Sequence, residues 1–247
     1  MIETRGRARI GVLVPFTNVN LEPDLAMLCP EGVSLHFARL GGYDVDEVPD
    51  ETQMAGLGAS DLTEPLRLIQ GVRPDAVLYG CTSATLSHGP AFDREIAARI
   101  RVGSSAVTVT AAGALVHALG RLEVQRIAFA SPYVTALNDL AVGFLSDQGF
   151  ETVSRADWPV ALGNYGQGEL TPSQVFELGS RADSPSAEAL VLSCTDMRSV
   201  EAVPRLEAAL GKPVVCSNQA MMFQALEMLG VSGFGMNCGR LMARLAA

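Results

Sequence analysis

Short, almost wholly apolar runs alternate along this chain with longer amphipathic stretches. The runs are "RIGVLVP" at 9–15, "DAVLYG" at 75–80, "SAVTVT" at 105–110, "RIAFAS" at 126–131, "EALVLS" at 188–193 and "KPVVCS" at 212–217. Their length and β-branched content predict buried strands. Between them, "ASDLTEPLRLIQGV" (59–72), "AFDREIAARIR" (91–101) and "LNDLAVGFLSDQG" (137–149) read as helices. Strands that are apolar along their whole length and separated by helices belong in parallel sheets covered on both faces. The fold class is α/β.

The same runs repeat in order. "RIGVLVPFTN" from Arg9 parallels "RIAFASPYVT" from Arg126, aligning Pro15 with Pro132 and Phe16 with Tyr133. "DAVLYGCTSATL" parallels "EALVLSCTDMRS", setting Cys81 against Cys194, and "AVTVTAAGALVHAL" from Ala106 parallels "PVVCSNQAMMFQAL" from Pro213. The matches keep their order while their offset shrinks gradually, which implies two similar lobes, about 8–119 and 125–230, within one unit spanning 1–247. In open parallel sheets, ligands bind beyond the carboxyl ends of the strands. Cys81 and Cys194 both come directly after a strand, so lobes facing one another about a pseudo-two-fold axis bring two thiols to opposite sides of a shared cleft.

Composition narrows the partners. A formal charge of −9 and a single lysine, Lys212, leave no basic patch for nucleic acid or an anionic membrane. A small anionic substrate would be held by neutral donors and backbone N–H groups instead. The N-terminal "MIETRGRARIGVLVP" has no apolar stretch long enough for a signal peptide, and no later stretch approaches a membrane span, so a cytoplasmic location is expected. The five cysteines, Cys29, Cys81, Cys194, Cys216 and Cys238, form no CxxC pair and no cluster with the three histidines. Reduced thiols and no metal are expected.

A thiol at a strand end, with Thr82 and Ser83 after it at a helix start, sits where a helix N-terminus favours an anion, and a lowered pKa is expected for Cys81. A lone cysteine is more often a buried packing residue, and Cys29, Cys216 and Cys238 keep that reading. Two Cys-Thr pairs at equivalent strand ends favour function. Opposed thiols permit removal and return of a proton on opposite faces of a carbon, which is racemisation. They also permit addition of a thiolate to an activated double bond, rotation and elimination, which is cis-trans isomerisation. A single thiol could protonate an enolate left by decarboxylation. No cofactor is required by any of the three.

Over nearly its whole length the chain resembles the aspartate/glutamate racemase superfamily, and within it the maleate cis-trans isomerase and arylmalonate decarboxylase branch. The resemblance rests on "VPFTNVNLEPD", "YGCTSAT", "ASPYVTALN", "ALGNYGQGELTP" and "LSCTDMRS". It implies a homodimer in which Asn18 and Asn164 bind substrate carboxylates, Tyr133 bonds the substrate or intermediate, Cys81 is the nucleophile and Cys194 the acid/base. Decarboxylases of the branch keep only the second cysteine, so the presence of both points away from that activity. The run after Cys194 looks closer to relatives associated with ectoine breakdown or to racemase-type members, so a two-thiol racemase of an amino acid or ectoine-like compound is the rival reading. Thr17, Thr82, Ser83 and Thr195 join the candidate donors of the substrate site, all neutral groups able to bind a carboxylate.

Other features have plainer readings. Asn18 and Asn164 lie where asparagine often serves as a turn residue, and Tyr133 alone would be a packing residue. "GNYGQG" at 163–168 lacks the context of a dinucleotide fingerprint and reads as a flexible loop. His88 reads as a loop or surface histidine. Asp44, Asp46, Glu47, Asp50 and Glu51 form an acidic connection within 41–58, a segment long enough for a lid. Asp196 and Arg198 form a local ion pair or touch substrate. A two-lobed binding protein of periplasmic type is the non-enzyme alternative, and it would need neither thiol.

Overall fold

The computed structural model of the protein describes residues 6–41, 61–232 and 238–246. Residues 42–58 of the segment read as a lid, with its acidic residues between 44 and 51, lie outside the described residues. In chain order the first half comprises β1 (Ala8–Pro15), α1 (Leu21–Leu28), β2 (Val33–Leu40), α2 (Thr63–Gln70), β3 (Ala76–Tyr79), α3 (Thr82–Ser87), α4 (Gly89–Gly103), β4 (Val107–Thr110) and α5 (Ala111–Leu122). The second comprises β5 (Arg126–Ala130), α6 (Thr135–Asp147), β6 (Glu151–Ala156), α7 (Gly163–Glu169), α8 (Pro172–Ala182), β7 (Ala189–Leu192), α9 (Val203–Leu210), β8 (Val214–Cys216), α10 (Ser217–Met228) and α11 (Arg240–Ala243).

Two four-stranded parallel sheets result, ordered β2-β1-β3-β4 and β6-β5-β7-β8. The second order is the first shifted by four strands, so the sequence repeat is a repeat of topology. The inner strands β1, β3, β5 and β7 are buried on both faces, which is why they read as continuous apolar runs. Each sheet also has an edge strand that the run pattern does not show. β2 and β6 pair on one side only, with β1 and β5, and most of their side chains are half-buried. An edge strand with one wet side needs no unbroken apolar run, and "ETVSRA" has none.

Alternate residues of the first sheet serve different cores. Val12, Val14 and Leu78 join a cluster that continues into Phe129 and Val191 of the second sheet, whereas Leu13, Val77 and Tyr79 face a smaller cluster with Ile96 and Ile100 of α4. The lobes are joined by two helix contacts: α5 packs on α10, the equivalent helices after β4 and β8, and α3 packs on α6. The shared core fixes the distance between the two strand ends that carry the cysteines.

Two glycines set local geometry by close approach. At Gly80, between β3 and Cys81, a Cβ would stand 2.3 Å from Leu21 Cδ2 and 3.0 Å from the Leu13 carbonyl oxygen. The glycine-rich 163–168 segment is not a flexible loop but the helix α7, with Asn164 and Gln167 buried and the Gln167 amide donating to the Asn164 carbonyl. Its Gly168 leaves room for a carboxylate: a Cβ there would meet Asp196 Oδ2 at 2.9 Å. Tertiary contact stabilises this helix where intrinsic propensity opposes it. No helix among the described residues is long and apolar enough to cross a membrane.

Candidate active site

Cys81 is the residue before α3, extended in backbone, and its sulfur lies 3.7 Å from Ser83 Oγ. Cys194 lies just past β7 and enters a turn instead of a helix, its sulfur accepting the Asp196 backbone N–H at 3.3 Å. Tyr133, just beyond β5, joins the two. Its hydroxyl is 3.3 Å from Cys194 Sγ, and it lies within electrostatic reach of Ser83 and Cys81. Four predicted residues, the buried Cys81, Ser83 and Cys194 and the half-buried Tyr133, thus come together from both lobes.

All five thiols of the chain are free, and both site thiols are buried. The expected lowering of the Cys81 pKa does not occur. Burial pushes this thiol up, and the Ser83 and Ala84 backbone N–H groups and the Ser83 hydroxyl offset that only in part. The helix N-terminus is present, but desolvation of the sulfur outweighs it. Cys194 is pushed up to about 12, first by burial and then by the negative charge of Asp196, with Tyr133 and the Asp196 N–H opposing. Burial, reinforced by Cys194, also drives Tyr133 well above the ordinary phenol range.

The two cysteine turns are tied to one another and to the loop after β1. Thr195 donates its hydroxyl to the Gly80 carbonyl at 2.9 Å and accepts from Asn18 Nδ2 at 3.1 Å. Asn18 also caps α1, its Oδ1 accepting the Asn20 and Leu21 N–H groups, so the turn reading of this asparagine holds as well. Asn218 at the start of α10 donates to the Thr195 carbonyl and to Asp24, a carboxyl on α1 that burial pushes up to about 7.

The remaining candidates fall around this group. Thr17 and Thr82 are buried, and the Thr82 hydroxyl has no hydrogen-bond partner. Asn164 is buried in α7, whose Gly163 and Gln167 line a crevice with Pro132, Tyr133 and Val134. A second crevice beside Tyr133 is lined by Ser83, Leu86, Leu137 and Ser193. Roomier hollows lie elsewhere, one of them between α2 and α4, lined by Leu62, Leu66, Arg67, Arg99 and Val102. His88 bonds Ser87 and the Ala84 carbonyl and stacks on Phe92, a packing role at the α3–α4 junction. Asp196 and Arg198 do not pair: Arg198 bridges to Glu201, while Asp196 Oδ1 accepts the Val19 and Asn20 N–H groups.

Arg39 is a residue that sequence reasoning missed. From the edge strand β2 its guanidinium donates to the carbonyls of Pro15, Phe16 and Asn18 and pairs with Glu22, clamping the loop that carries Thr17 and Asn18. Its strand is largely half-buried and has no unbroken apolar run, and no other signal in the chain marks the residue. Among the described residues no group of three or more His, Cys, Asp or Glu is placed to hold a metal ion.

Known proteins share this architecture. A maleate isomerase of Pseudomonas putida is 28% identical over 250 residues, covering 95% of this chain and 97% of the relative. An arylmalonate decarboxylase of Bordetella bronchiseptica is 25% identical over 222 residues, 88% of this chain and 86% of its own. Among solved structures, a maleate cis-trans isomerase variant of Nocardia farcinica, with a cysteine replaced by serine and a covalently bound succinylcysteine intermediate, superposes with a TM-score of 0.87. It is 27% identical, with 96% of this chain and 98% of that one covered. The profile of the family described as Arylmalonate decarboxylase matches residues 10–242, and the chain belongs to that family.

Proposed function

We propose that this protein is a cofactor-independent cis-trans isomerase that converts maleate, or a close dicarboxylate, to its trans isomer. The observation that carries the reading is the meeting of two buried thiols from different lobes at one tyrosine, in contact with Cys194 and in the field of Cys81. A relative that traps a succinylcysteine supplies the chemical precedent, because a succinyl group on sulfur is the alkene after both thiolate and proton have added.

The surroundings of the thiols assign their roles. Cys81 is the one whose ionised form receives helix N–H groups, so it is the nucleophile; Cys194 stands beside a carboxylate and keeps its proton. The Cys81 thiolate adds to one alkene carbon while the Cys194 proton passes to the other, leaving a succinyl thioether on Cys81 and a thiolate at Cys194. The former double bond is now single and turns by half a revolution. Cys194 takes a proton back, the carbon–sulfur bond breaks, and Cys81 regains its electron pair. Tyr133 donates to the negative charge that develops between the two steps. The substrate carboxylates are held by Thr17, Asn18, Thr82, Ser83 and Asn164. An amide nitrogen carries two protons, and Asn18 gives one to Thr195, leaving the other for a carboxylate oxygen.

The protein acts in the cytoplasm as a homodimer, each chain a single unit with lobes at about 8–119 and 125–230. Sedimentation equilibrium tests the dimer. The activity is tested by proton NMR with maleate in D₂O beside Cys81→Ala. Fumarate from wild type but not from the variant supports the reading. No fumarate overturns it, and α-proton exchange in amino-acid or ectoine-derived compounds would then indicate a racemase.

A further inference from the structure

Among the described residues, Asp196 is the one buried carboxylate in contact with a site cysteine's turn, and the reaction scheme leaves it unused. Its Oδ1 accepts three donors, the Val19 and Asn20 backbone N–H groups and Asn20 Nδ2, at 2.9, 3.0 and 3.2 Å. The first two lie just before α1, so a residue of the second lobe fixes the loop that leads into a helix of the first. Its own N–H bonds Cys194 Sγ, and its carbonyl accepts Asn20 Nδ2. Oδ2, by contrast, is buried without a partner, in the space that Gly168 leaves open.

An asparagine could accept the same bonds through its amide oxygen and place a neutral NH₂ where Oδ2 stands. A buried anion with one unpartnered oxygen is an unfavourable way to hold a loop. What the carboxylate adds over the amide is charge, delivered two residues from Cys194. We propose that Asp196 is a positioning residue whose charge disfavours the Cys194 thiolate beyond what burial already does, and so widens the difference between two cysteines at equivalent strand ends. The proposal rests on the isomerase reading for its mechanistic meaning, though the charge effect exists whatever the substrate.

The charged and titratable groups around it are few. Cys81 and Tyr133 face Cys194 from the first lobe and the end of β5, and both are neutral when protonated. Arg39 of β2 is the cation acting on Asp196, and it is shared with Glu22. Arg198 on the same turn is paired with Glu201. Burial holds Asp196 up at about 6, its three donors opposing, so it carries charge at neutral pH. Cys194 feels that charge, while burial, the Ser83 and Ala84 N–H groups and the Ser83 hydroxyl set the Cys81 thiol.

The selective effect gives the test. Protein labelled at cysteine Cβ is titrated by carbon NMR without substrate, with Cys194→Ser assigning the resonance, in wild type and in Asp196→Asn. The ionisation of Cys194 moves down by about one unit or more in the variant, as expected for loss of a close like charge, while that of Cys81 stays put. With substrate, the alkaline limb of the rate profile moves to lower pH and the acid limb does not. Loss of a purely structural bond would lower the rate at every pH without moving one limb alone. An unshifted Cys194 resonance in a folded Asp196→Asn protein overturns the proposal, and Asp196→Ser, neutral and smaller, carries the same test if the amide variant does not fold. Because the NMR titration uses no substrate, a failure of the maleate assignment leaves this result readable.

Discussion

Cys81 and Cys194 sit at matching strand ends of two sheets with one topology, yet their immediate surroundings differ. Cys81 leads into a helix and meets two N–H groups and the Ser83 hydroxyl; Cys194 leads into a turn and meets one N–H group and the Tyr133 hydroxyl, within the field of the Asp196 carboxylate. Both thiols are raised by burial, so burial does not distinguish them. The difference lies in the two residues after each Cys-Thr pair, Ser-Ala in one lobe and Asp-Met in the other. A repeated fold thus supplies two equivalent positions, and those neighbours turn them into a nucleophile and an acid.

The strongest way to break that comparison is to remove each thiol in turn. Cys81→Ala and Cys194→Ser should each lower turnover by at least about 10³-fold, since the two act as a unit. Mass spectrometry separates them: with maleate, Cys194→Ser should carry an adduct on Cys81, and the Cys81 variant should carry none anywhere. An adduct on Cys194 would reverse the assignment of roles. Next in size, Tyr133→Phe should cut kcat about 10²-fold with little change in KM, because its hydroxyl serves charge that develops during reaction. An unchanged kcat would reduce Tyr133 to packing.

Much of this was legible in the chain. The inner strands announce themselves because burial on both faces demands unbroken apolar runs, and the repeat places Cys81 against Cys194 without any structure. What sequence could not show is of two kinds. Edge strands β2 and β6 answer to one wet face, so their pattern is diluted, and Arg39 was lost with β2. The contacts that join the lobes link residues far apart in the chain, such as Asn18 with Thr195 and Asn20 with Asp196, and no local spacing encodes them. The Cys81 pKa failed for a related reason: a helix start is a local feature, whereas desolvation depends on everything packed around the sulfur.

The bonds that tie the two turns should matter for stability. Thr195→Val keeps the shape but leaves the Gly80 carbonyl and an Asn18 N–H without their partner, a loss of about 1–3 kcal/mol that thermal unfolding would register as several degrees. A Tm equal to wild type would mean the lobes hold together by the shared core alone. Carboxyls on the same network give a pH signature. Folded Asp24 and Asp196 keep their protons to about 7 and about 6, against an ordinary 3.8. Between those values the folded chain holds more protons than the unfolded one, so stability falls as pH rises from about 4 to about 7. Asp24→Asn should flatten part of that slope in urea titrations, and a wild-type profile that is level across the window would contradict the assignment.

The smallest effect sharpens the comparison most. Arg198 stands four residues after Cys194, near enough in sequence to suggest a carboxylate-binding cation that the first turn lacks. Its guanidinium is instead bound to Glu201 in an exposed pair, both bonds at 3.0 Å. Exposed pairs of this kind contribute roughly 0–1 kcal/mol, so Arg198→Ala should leave unfolding almost unchanged and kcat/KM within about twofold. If KM rose tenfold with kcat intact, Arg198 would have to leave Glu201 for the substrate. The second turn would then provide binding as well as acid, and the division between the lobes would run between chemistry and recognition and no longer only between the two thiols.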